Sequence, residues 1–244
     1  MSEQLPEAGL LPMLPLRSAV LFPGVTMPIE LGRPASVEAV RRATTPEPGL
    51  DVPALHHYVI VASQRDPMTD QPELADLHPI ATLTRVVQVL RGLPGRMTVM
   101  VRGIRRVSLD SLTRAGGYEQ VQWSPTPSLD SSEGSETFTM LVALAEVLRD
   151  LVKRHESLST SQRTARQRQD AVNEIQAERD PARVGDLVAN LVELDNADRI
   201  ELLQQLDVAL RLRRVIELVA HRCNEIEVKR DVDRSVRDYL SRHE

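Results

Sequence analysis

The sequence predicts an α+β fold, with a β-rich, barrel-like lobe followed by an α-helical bundle that ends in a long helix. In the first half, short apolar runs alternate with proline and glycine, which is typical of strands joined by tight turns. After a stretch rich in serine and proline, apolar residues recur at steps of three and four, the spacing of amphipathic helices. We therefore expect lobes at residues 1–124 and 137–244, joined by a linker at 125–136.

The first lobe contains several strand candidates and one short helix. Residues 14–22 and 25–31 are apolar but interrupted by proline, which cannot donate to a ladder, so we expect edge or bulged strands there. Residues 36–43 have the spacing of a short helix. The glycine-containing loop 91–96 predicts a hairpin between its flanking runs. The other strand candidates are residues 58–62, 80–90, 97–101, 103–112 and 118–123.

The second lobe has helical spacing, first in residues 138–152. Residues 163–179 are polar and rich in arginine, and their pattern does not decide between a helix and a loop. Asp180 before Pro181 predicts a helix start, because the aspartate accepts from unpaired amides and proline loses no bond at the first position. Asp195 or Asn196, and then Asp207, predict two further starts. The expected buried faces are Leu187, Val188, Leu191 and Val192; Ile200, Leu203 and Leu206; and Leu212, Val215, Ile216, Val219, Cys223 and Ile226.

Composition argues against several classes of protein. Hydrophobic residues make up 41% of the 244, enough for a sizeable core, and the net charge of −5 argues against a dedicated nucleic-acid binder. The single cysteine, Cys223, cannot form an internal disulfide, which favours a reducing compartment. No apolar run approaches the roughly 20 residues that cross a bilayer, and the N-terminus lacks the features of a signal peptide. We therefore expect a cytoplasmic protein without a membrane partner.

Two groups of motifs carry a family resemblance. The first group resembles the opening of bacterial Lon proteases, where an LPLR…FPG…P…G signature begins the substrate-binding domain. The second group is similar to the helical half of the same region. The resemblance covers roughly residues 10–230. The first group comprises LPMLPLR at 11–17, VLFPG at 20–24, MPIELG at 27–32, VASQRD at 61–66 and VMVRG at 99–103, and the second comprises DPARVGDLVAN at 180–190, LLQQLDV at 202–208 and LRLRRVIEL at 210–218.

The resemblance implies a PUA-like barrel lobe, a helical bundle and a long helix leading towards an ATPase. It also implies a homohexameric parent enzyme, an ATP-dependent serine endopeptidase that degrades misfolded and regulatory proteins in quality control and the stress response. ATP, Mg²⁺ and the serine–lysine dyad of such an enzyme would belong to downstream modules, so no cofactor is expected in this chain. The sequence departs from the family pattern at the arginine-rich residues 162–179 and at the linker.

The residues themselves give no pattern for catalysis or metal binding. The chain has two lysines, Lys153 and Lys229, and neither follows the glycine that a phosphate-binding P-loop requires. Both stand in polar helical sequence, which is a poor setting for a desolvated serine–lysine dyad. His56 and His57 lack companions at zinc spacing, so we interpret them as loop residues before a strand. We expect no catalytic residue and no metal ligand here, and Cys223 as a small core residue.

An apolar patch is the predicted substrate-binding site. A receptor for unfolded chains needs exposed, adaptable apolar side chains, and proline breaks and a glycine-rich tip favour such exposure. The alternative is that the same residues close the barrel core. The candidates are Leu16, Phe22, Met27, Pro28, Leu90, Leu93 and Met97. In the charged stretch 229–244, Val232, Val236 and Tyr239 are the candidates for pairing with other subunits.

Two other functions stay open. One is a free-standing adaptor that uses the same domain to bind a specific partner or ligand. The other is a DNA-binding regulatory module, because clustered arginines on one face could contact phosphates as a secondary activity. A general bias towards arginine over lysine is the alternative explanation for the clusters. The candidate DNA contacts are Arg102, Arg105, Arg106, Arg163, Arg166 and Arg168.

Overall fold

The computed structural model describes residues 8–45, 57–91, 96–127 and 165–240, together with Thr139 and Leu144. The chain divides into two compact units. The β unit comprises Met1–Pro127 and Arg199–Leu206, and the helical unit comprises Ser128–Asp198 and Asp207–Glu244. A β-sheet unit and a helical unit that ends in a long helix confirm the predicted α+β class.

The β unit is built around a closed sheet. The described strands follow the order β2-β5-β4-β3-β1-β6, and a further pairing of β5 with β6 closes the ring. The pairing of β1 with β3 is parallel and the other pairings are antiparallel. This is the barrel that the sequence predicted. The strands are β1 (Gly9–Leu16), β2 (Thr26–Leu31), β3 (Tyr58–Ser63), β4 (Ile80–Arg91), β5 (Met97–Ala115) and β6 (Tyr118–Pro125), and helix α1 (Pro34–Thr44) follows β2.

The barrel core is filled mainly by aliphatic side chains around a few aromatic ones. Trp123, the single tryptophan of the chain, is fully buried, and Tyr58 is 2% exposed. The predicted strands 97–101 and 103–112 are one 19-residue strand, β5, which pairs with β2, β4 and β6 along its length. The core cluster is Leu11, Met13, Tyr58, Ile60, Ala62, Leu77, Ala81, Leu83, Val107, Val121 and Trp123.

The first strand differs from its prediction. It ends at Leu16, and residues 17–25 form a loop, so the predicted strand 14–22 is wrong over most of its length. Nor is β1 an edge strand, because it pairs with both β6 and β3. Gly9–Pro12 pairs with β6, whereas residues 13–16 pair with β3. Each half of β1 therefore has a paired side and an unpaired side, and proline is tolerated in both halves because the amide hydrogen that it lacks is not needed on the unpaired side. Strand β2 stands at the end of the strand order, which confirms an edge strand there.

Two motifs of the sequence meet at Gly103. The Gly24 amide donates to the Gly103 carbonyl and the Gly103 amide donates to the Val25 carbonyl, both at 2.9 Å. A Cβ on Gly103 would lie 2.3 Å from the Phe22 carbonyl oxygen. Gly24 has a φ of 80°, in the left-handed region that favours glycine. The close approach of the two backbones therefore requires glycine at 103, and it holds the loop of residues 22–25 against β5.

A helical segment belongs to the β unit. Helix α4 (Asn196–Gln204) contributes most of it, and the Gln204 side chain exchanges two hydrogen bonds with the Ile80 backbone, of 2.9 and 2.8 Å. Arg106 donates through Nε to the Leu203 carbonyl at 2.9 Å, at the end of the helix. Arg199 lies over the Phe22 ring at 5.5 Å. These contacts fix residues 199–206 on the barrel.

The helical unit contains α2 (Ala165–Ala177), α3 (Pro181–Leu191) and α5 (Val208–Leu240). The predicted helix starts at 180 and 207 are confirmed. The Asp180 side chain accepts from the Ala182 amide and Asp207 accepts from the Leu210 amide, both at 3.0 Å. Residues 165–177, which the sequence left open, are helical. Of the predicted helix 138–152, Thr139 and Leu144 are described and helical, and the rest lies outside the described residues.

Helices α3 and α5 bury the faces that periodicity predicted. Leu187, Val188, Leu191, Val192, Leu212, Val215, Val219, Cys223 and Ile226 are buried, and Ile216 is half-buried. Asp186 and Arg211 are also buried, with 3.6 Å between Oδ1 and Nε. From residue 227 onwards, the described side chains of α5 are exposed. Among the described helices, none is both long and apolar enough to cross a bilayer.

Candidate functional site

A groove of about 500 Å³ runs beside β2 in the β unit. One wall is the end of β1 and the loop after it, and the other is β2 with the first residues of α1. Among the described strands, β2 pairs only with β5, so its second side faces away from the sheet. The groove is lined by Pro15, Leu16, Arg17, Ser18, Ala19, Met27, Pro28, Ile29, Glu30, Leu31, Gly32, Arg33 and Ser36.

The inner part of the groove is apolar because β2 alternates. Ile29 and Leu31 are each 5% exposed, whereas Pro28 and Glu30, which alternate with them along the strand, are exposed. Met27 is half-buried, and Leu16 on the opposite wall is 8% exposed. Three predicted patch residues, Leu16, Met27 and Pro28, therefore line one groove. The apolar side chains in this part of the groove are aliphatic, apart from the thioether of Met27.

Two arginines give the groove a cationic end. Arg33, the residue before α1, donates through one terminal nitrogen to Gln64 Oε1 at 2.8 Å and to the Thr69 carbonyl at 3.2 Å. Its other terminal nitrogen is buried without a hydrogen-bond partner among the described residues. Burial, followed by the like charge of Arg17, lowers the pKa of Arg33. Arginine nevertheless stays charged at neutral pH, so this end attracts anions.

A braced loop borders the cationic end. Gln64 is 1% exposed and donates to the Thr69 carbonyl at 2.8 Å, and Asp66 accepts from the Met68 amide at 2.9 Å. These bonds hold residues 66–70 beside the groove, where Asp70 forms an ion pair with Arg17. Met68 is 80% exposed at the tip of this loop. Arg33, Gln64 and this loop were not predicted from the sequence as parts of a site, although the VASQRD motif contains Gln64 and the first residue of the loop.

Strands β2, β5 and β4 share a partly exposed face beside the groove, which carries polar residues as well as apolar ones. The registers place Pro28 beside Met100, and Leu90 beside Thr98. Leu90 is 39% exposed and Val87, at a bulge of β4, is 57% exposed. Because paired residues project to the same face of a sheet, Pro28, Met100 and Leu90 lie on one face, which we call the arm face.

The other predicted patch residues have different positions. Phe22 is fully buried beneath the Arg199 guanidinium, so it is a core residue and is not accessible from the surface. Met97 is half-buried and pairs with Leu31, which lines the groove. Leu93 lies outside the described residues. The predicted patch is therefore divided between the groove and the neighbouring β4–β5 strands.

The candidate arginines for DNA have separate settings. Arg105 lies over the Trp123 ring at 5.5 Å, and Arg106 binds carbonyls at the end of α4. Arg102, in the β unit, and Arg166, in the helical unit, are exposed. Residue 163 and the side chain of Arg168 are not described. Two of the six arginines therefore have structural contacts, and DNA binding stays an untested prediction.

The candidate assembly residues lie on the exposed end of α5. Val232 is 55% exposed and Val228, one turn before it, is 63% exposed. Val236 and Tyr239 lie on the same helix, and their side chains are not described.

Within the described part of the chain, no group of histidine, cysteine, aspartate or glutamate side chains is placed to hold a metal ion. His57 is described and has a φ of 69°, whereas His56 lies outside the described residues.

Comparison with known families identifies a match along most of the chain. A family model described as the ATP-dependent protease La (LON) substrate-binding domain matches residues 10–221. The chain is 27% identical over 219 residues to the Lon protease of Xanthomonas oryzae pv. oryzae, covering 90% of this chain and 24% of that protein. It is 29% identical over 240 residues to Lon protease 2 of Sorangium cellulosum, covering 97% of this chain and 28% of that protein.

Comparison with solved structures supports the same fold. The N-terminal domain of a Mycobacterium avium complex Lon protease matches with a TM-score of 0.65 and 20% identity, covering 87% of this chain and 98% of that chain. Against the sequence relatives, in contrast, the chain spans only about a quarter of their length. The matched region is thus close to a whole domain of that structure and one part of a longer enzyme in those relatives.

Proposed function

The chain belongs to the family of the ATP-dependent protease La (LON) substrate-binding domain, and we propose that it captures extended apolar segments of unfolded or damaged proteins in the groove beside β2. The observation that carries the proposal is the groove itself: an edge strand whose half-buried Met27 and exposed Pro28 line a groove together with aliphatic residues of β1 and β2. An unfolded chain offers apolar side chains in extended conformation, and such a slot accommodates them.

The chemistry of β2 favours weak binding that tolerates many sequences. Pro28 lacks an amide hydrogen, so a guest strand beside β2 cannot form a continuous ladder. Binding energy then comes mainly from apolar contacts, for which Met27 and Leu16 are adaptable partners. We infer that affinity for one segment is modest and that discrimination between guests is low.

Weak capture suits an oligomeric enzyme. The relatives are Lon proteases of which this chain corresponds to about a quarter, and we place ATP hydrolysis and peptide-bond cleavage in the regions that it does not cover. If six copies surround one entrance, each raises the effective concentration of the guest for the others, so individual contacts need not be tight.

The test is fluorescence anisotropy of a labelled model protein titrated with the full chain. One form of the model protein is native and the other is permanently unfolded. We expect binding to the unfolded form only, weakened about tenfold by Met27→Ser, since the loss of one buried thioether contact is of the order of 1–2 kcal/mol. Leu90→Ser tests whether the arm face contributes.

Leu210→Ser is the matched control, because Leu210 is 47% exposed on α5 in the helical unit. It should leave binding unchanged. Equal affinity for native and unfolded forms would contradict general capture and favour the adaptor that binds one specific partner. Equal weakening by Leu210→Ser and Met27→Ser would remove the groove as the binding site.

We propose a second role, in assembly, for the end of α5. Val228 and Val232 are exposed four residues apart on a helix whose other described residues from 227 to 235 are polar, so they form a narrow apolar stripe. Analytical ultracentrifugation of the full chain and of Val228→Ser/Val232→Ser tests this role. A concentration-dependent oligomer that the double variant loses supports it, and identical sedimentation of both proteins contradicts it.

A further inference from the structure

We propose that the cationic end of the groove binds a carboxylate, so that preferred guests join apolar residues to an acidic side chain or to a free C-terminus. This inference rests on the proposed function of the groove and specifies its substrate class. It also assigns a binding role to Arg33 and Arg17.

Arg33 has a charged hydrogen-bond donor, Nη1, without an acceptor among the described residues. One terminal nitrogen is held by Gln64 and Thr69, whereas the other is buried with no hydrogen-bond partner among the described residues. The described residues also form no ion pair with Arg33 within 4.0 Å. A buried donor without an acceptor is destabilising, and a carboxylate is its strongest partner.

Arg17 adds a second positive charge beside Arg33. It faces Asp70, and this ion pair is solvated, because the Arg17 side chain is 44% exposed and the Asp70 side chain 84% exposed. Such exposed pairs contribute little to stability, so a guest carboxylate can replace Asp70 at small cost. Asp70 is therefore an internal competitor for the site that the guest would occupy.

The neighbouring acidic groups leave the end of the groove cationic. Glu119 acts on Arg33 over a distance, but it is buried and lies 3.7 Å from Arg114 Nε. Glu30 is the acidic residue in the described lining and is exposed on β2. Since Arg17, Arg33 and apolar Leu16 and Leu31 line one groove, a single extended segment can contact both its apolar and its cationic parts.

Three labelled peptides of one apolar sequence test the inference. The first has an amidated C-terminus, the second has a free C-terminal carboxylate, and the third is amidated with one aspartate near its end. We expect at least one carboxylate peptide to bind the full chain about tenfold more tightly than the first, as for a charged hydrogen bond that is partly solvated. The second and third peptides separate the two sources of carboxylate. The advantage should shrink as salt is added.

Variants of the three charged residues give opposite expectations. Arg33→Gln and Arg17→Gln should each reduce the carboxylate advantage. Asp70→Asn should increase it about threefold because the internal competitor is removed, an effect that loss of structure would not produce. Arg41→Gln is the matched control, since Arg41 is an exposed arginine of α1 outside the lining and pairs with Glu38.

The outcomes separate this inference from the proposed function. Equal binding of all three peptides by the unaltered chain overturns carboxylate recognition and leaves apolar capture in place. Absence of binding by every peptide, together with no preference for unfolded protein, overturns both. If Trp123 fluorescence shows that Arg33→Gln is unfolded, the other two variants decide. An unchanged advantage in both Arg17→Gln and Asp70→Asn overturns the inference.

Discussion

Among the described residues, the helical unit buries both members of an ion pair, whereas the β unit buries mostly neutral polar groups and one carboxylate, Glu119, whose partner Arg114 is 38% exposed. In the β unit, buried hydroxyl and amide groups bond to backbone carbonyls, as Thr82 Oγ1 does to Leu21 at 2.7 Å and Gln64 Nε2 does to Thr69 at 2.8 Å. In the helical unit, a charged pair, Asp186 and Arg211, links α3 to α5. Neutral bonds each hold one loop on the barrel, whereas the ion pair joins two helices, and we expect it to fix their register.

The two units can be followed separately during unfolding. Trp123 is the single tryptophan and lies in the barrel core, so its fluorescence reports on the β unit. Circular dichroism at 222 nm is dominated by helix and reports mainly on the helical unit. Each substitution below is therefore expected to shift one signal more than the other.

The largest effect is expected from breaking the buried ion pair. Arg211→Ala leaves the Asp186 carboxylate buried without this partner, which should cost about 3–5 kcal/mol. Urea unfolding followed by circular dichroism should show the loss, with a smaller change in Trp123 fluorescence.

The double variant Asp186→Leu/Arg211→Met is the control for the ion pair. It removes both charges at similar volume, so it should recover most of the stability. A cost below about 1 kcal/mol for Arg211→Ala would show that the pair is not the register-setting contact.

The next effect belongs to the β unit. In Gly103→Ala the new Cβ meets the Phe22 carbonyl oxygen at 2.3 Å, and backbone cannot move aside as a flexible side chain would. We expect a loss of about 2–3 kcal/mol, seen in the urea midpoint of Trp123 fluorescence. Gly32→Ala is the control because its Cβ would meet nothing within 4 Å. Equal effects of the two would contradict a role for the close approach.

A neutral buried bond should matter less than the ion pair. Thr82→Val keeps the shape but removes the donor to the Leu21 carbonyl, for an expected loss of about 1–2 kcal/mol in the β unit. The exposed Thr113 provides the control, Thr113→Val, with little change. A loss as large as that of Arg211→Ala would remove the distinction between the two kinds of buried polar group.

The smallest effect is expected at the helix starts. Asp180→Ala removes the acceptor of the Ala182 amide and should cost the helical unit about 1 kcal/mol. Asp180→Ser keeps an acceptor and should retain most of the stability. Circular dichroism distinguishes the two. An unchanged midpoint in Asp180→Ala would show that solvent replaces the cap without loss.

Local patterns predicted most elements of both units. Strand β3 was predicted by its β-branched run, and the buried face of α5 was predicted because periodicity and capping are local properties. The loop at 17–25 was missed because its apolar residues Val20, Leu21 and Phe22 are buried without forming a strand. The sequence did not decide between helix and loop for α2, because its described side chains bury two apolar residues, Val172 and Ile175, among polar ones.

The site could be predicted only in part. Met27 and Pro28, which line the groove, are partly exposed, as the proline breaks led us to predict, whereas Leu16 lines the groove but is only 8% exposed. Arg33 was missed because its partners, Gln64 and Thr69, are 31 and 36 residues away and no local pattern connects them. Phe22 was placed on the patch because the sequence does not show that Arg199, 177 residues later, covers its ring.

Closure of the barrel has a consequence for behaviour at high concentration. The β5–β6 pairing closes the other five described strands into a ring. Strand β2 stands outside this ring and pairs with β5 along its whole length, so its other side is a sheet edge. A seed for fibrils needs an unbroken row of backbone donors that a second copy can extend. Pro28 interrupts that row, and Glu30 would bring like charges together between stacked copies. This edge is thus a poor template for a second copy of the chain, a property that would suit the proposed capture of unfolded segments.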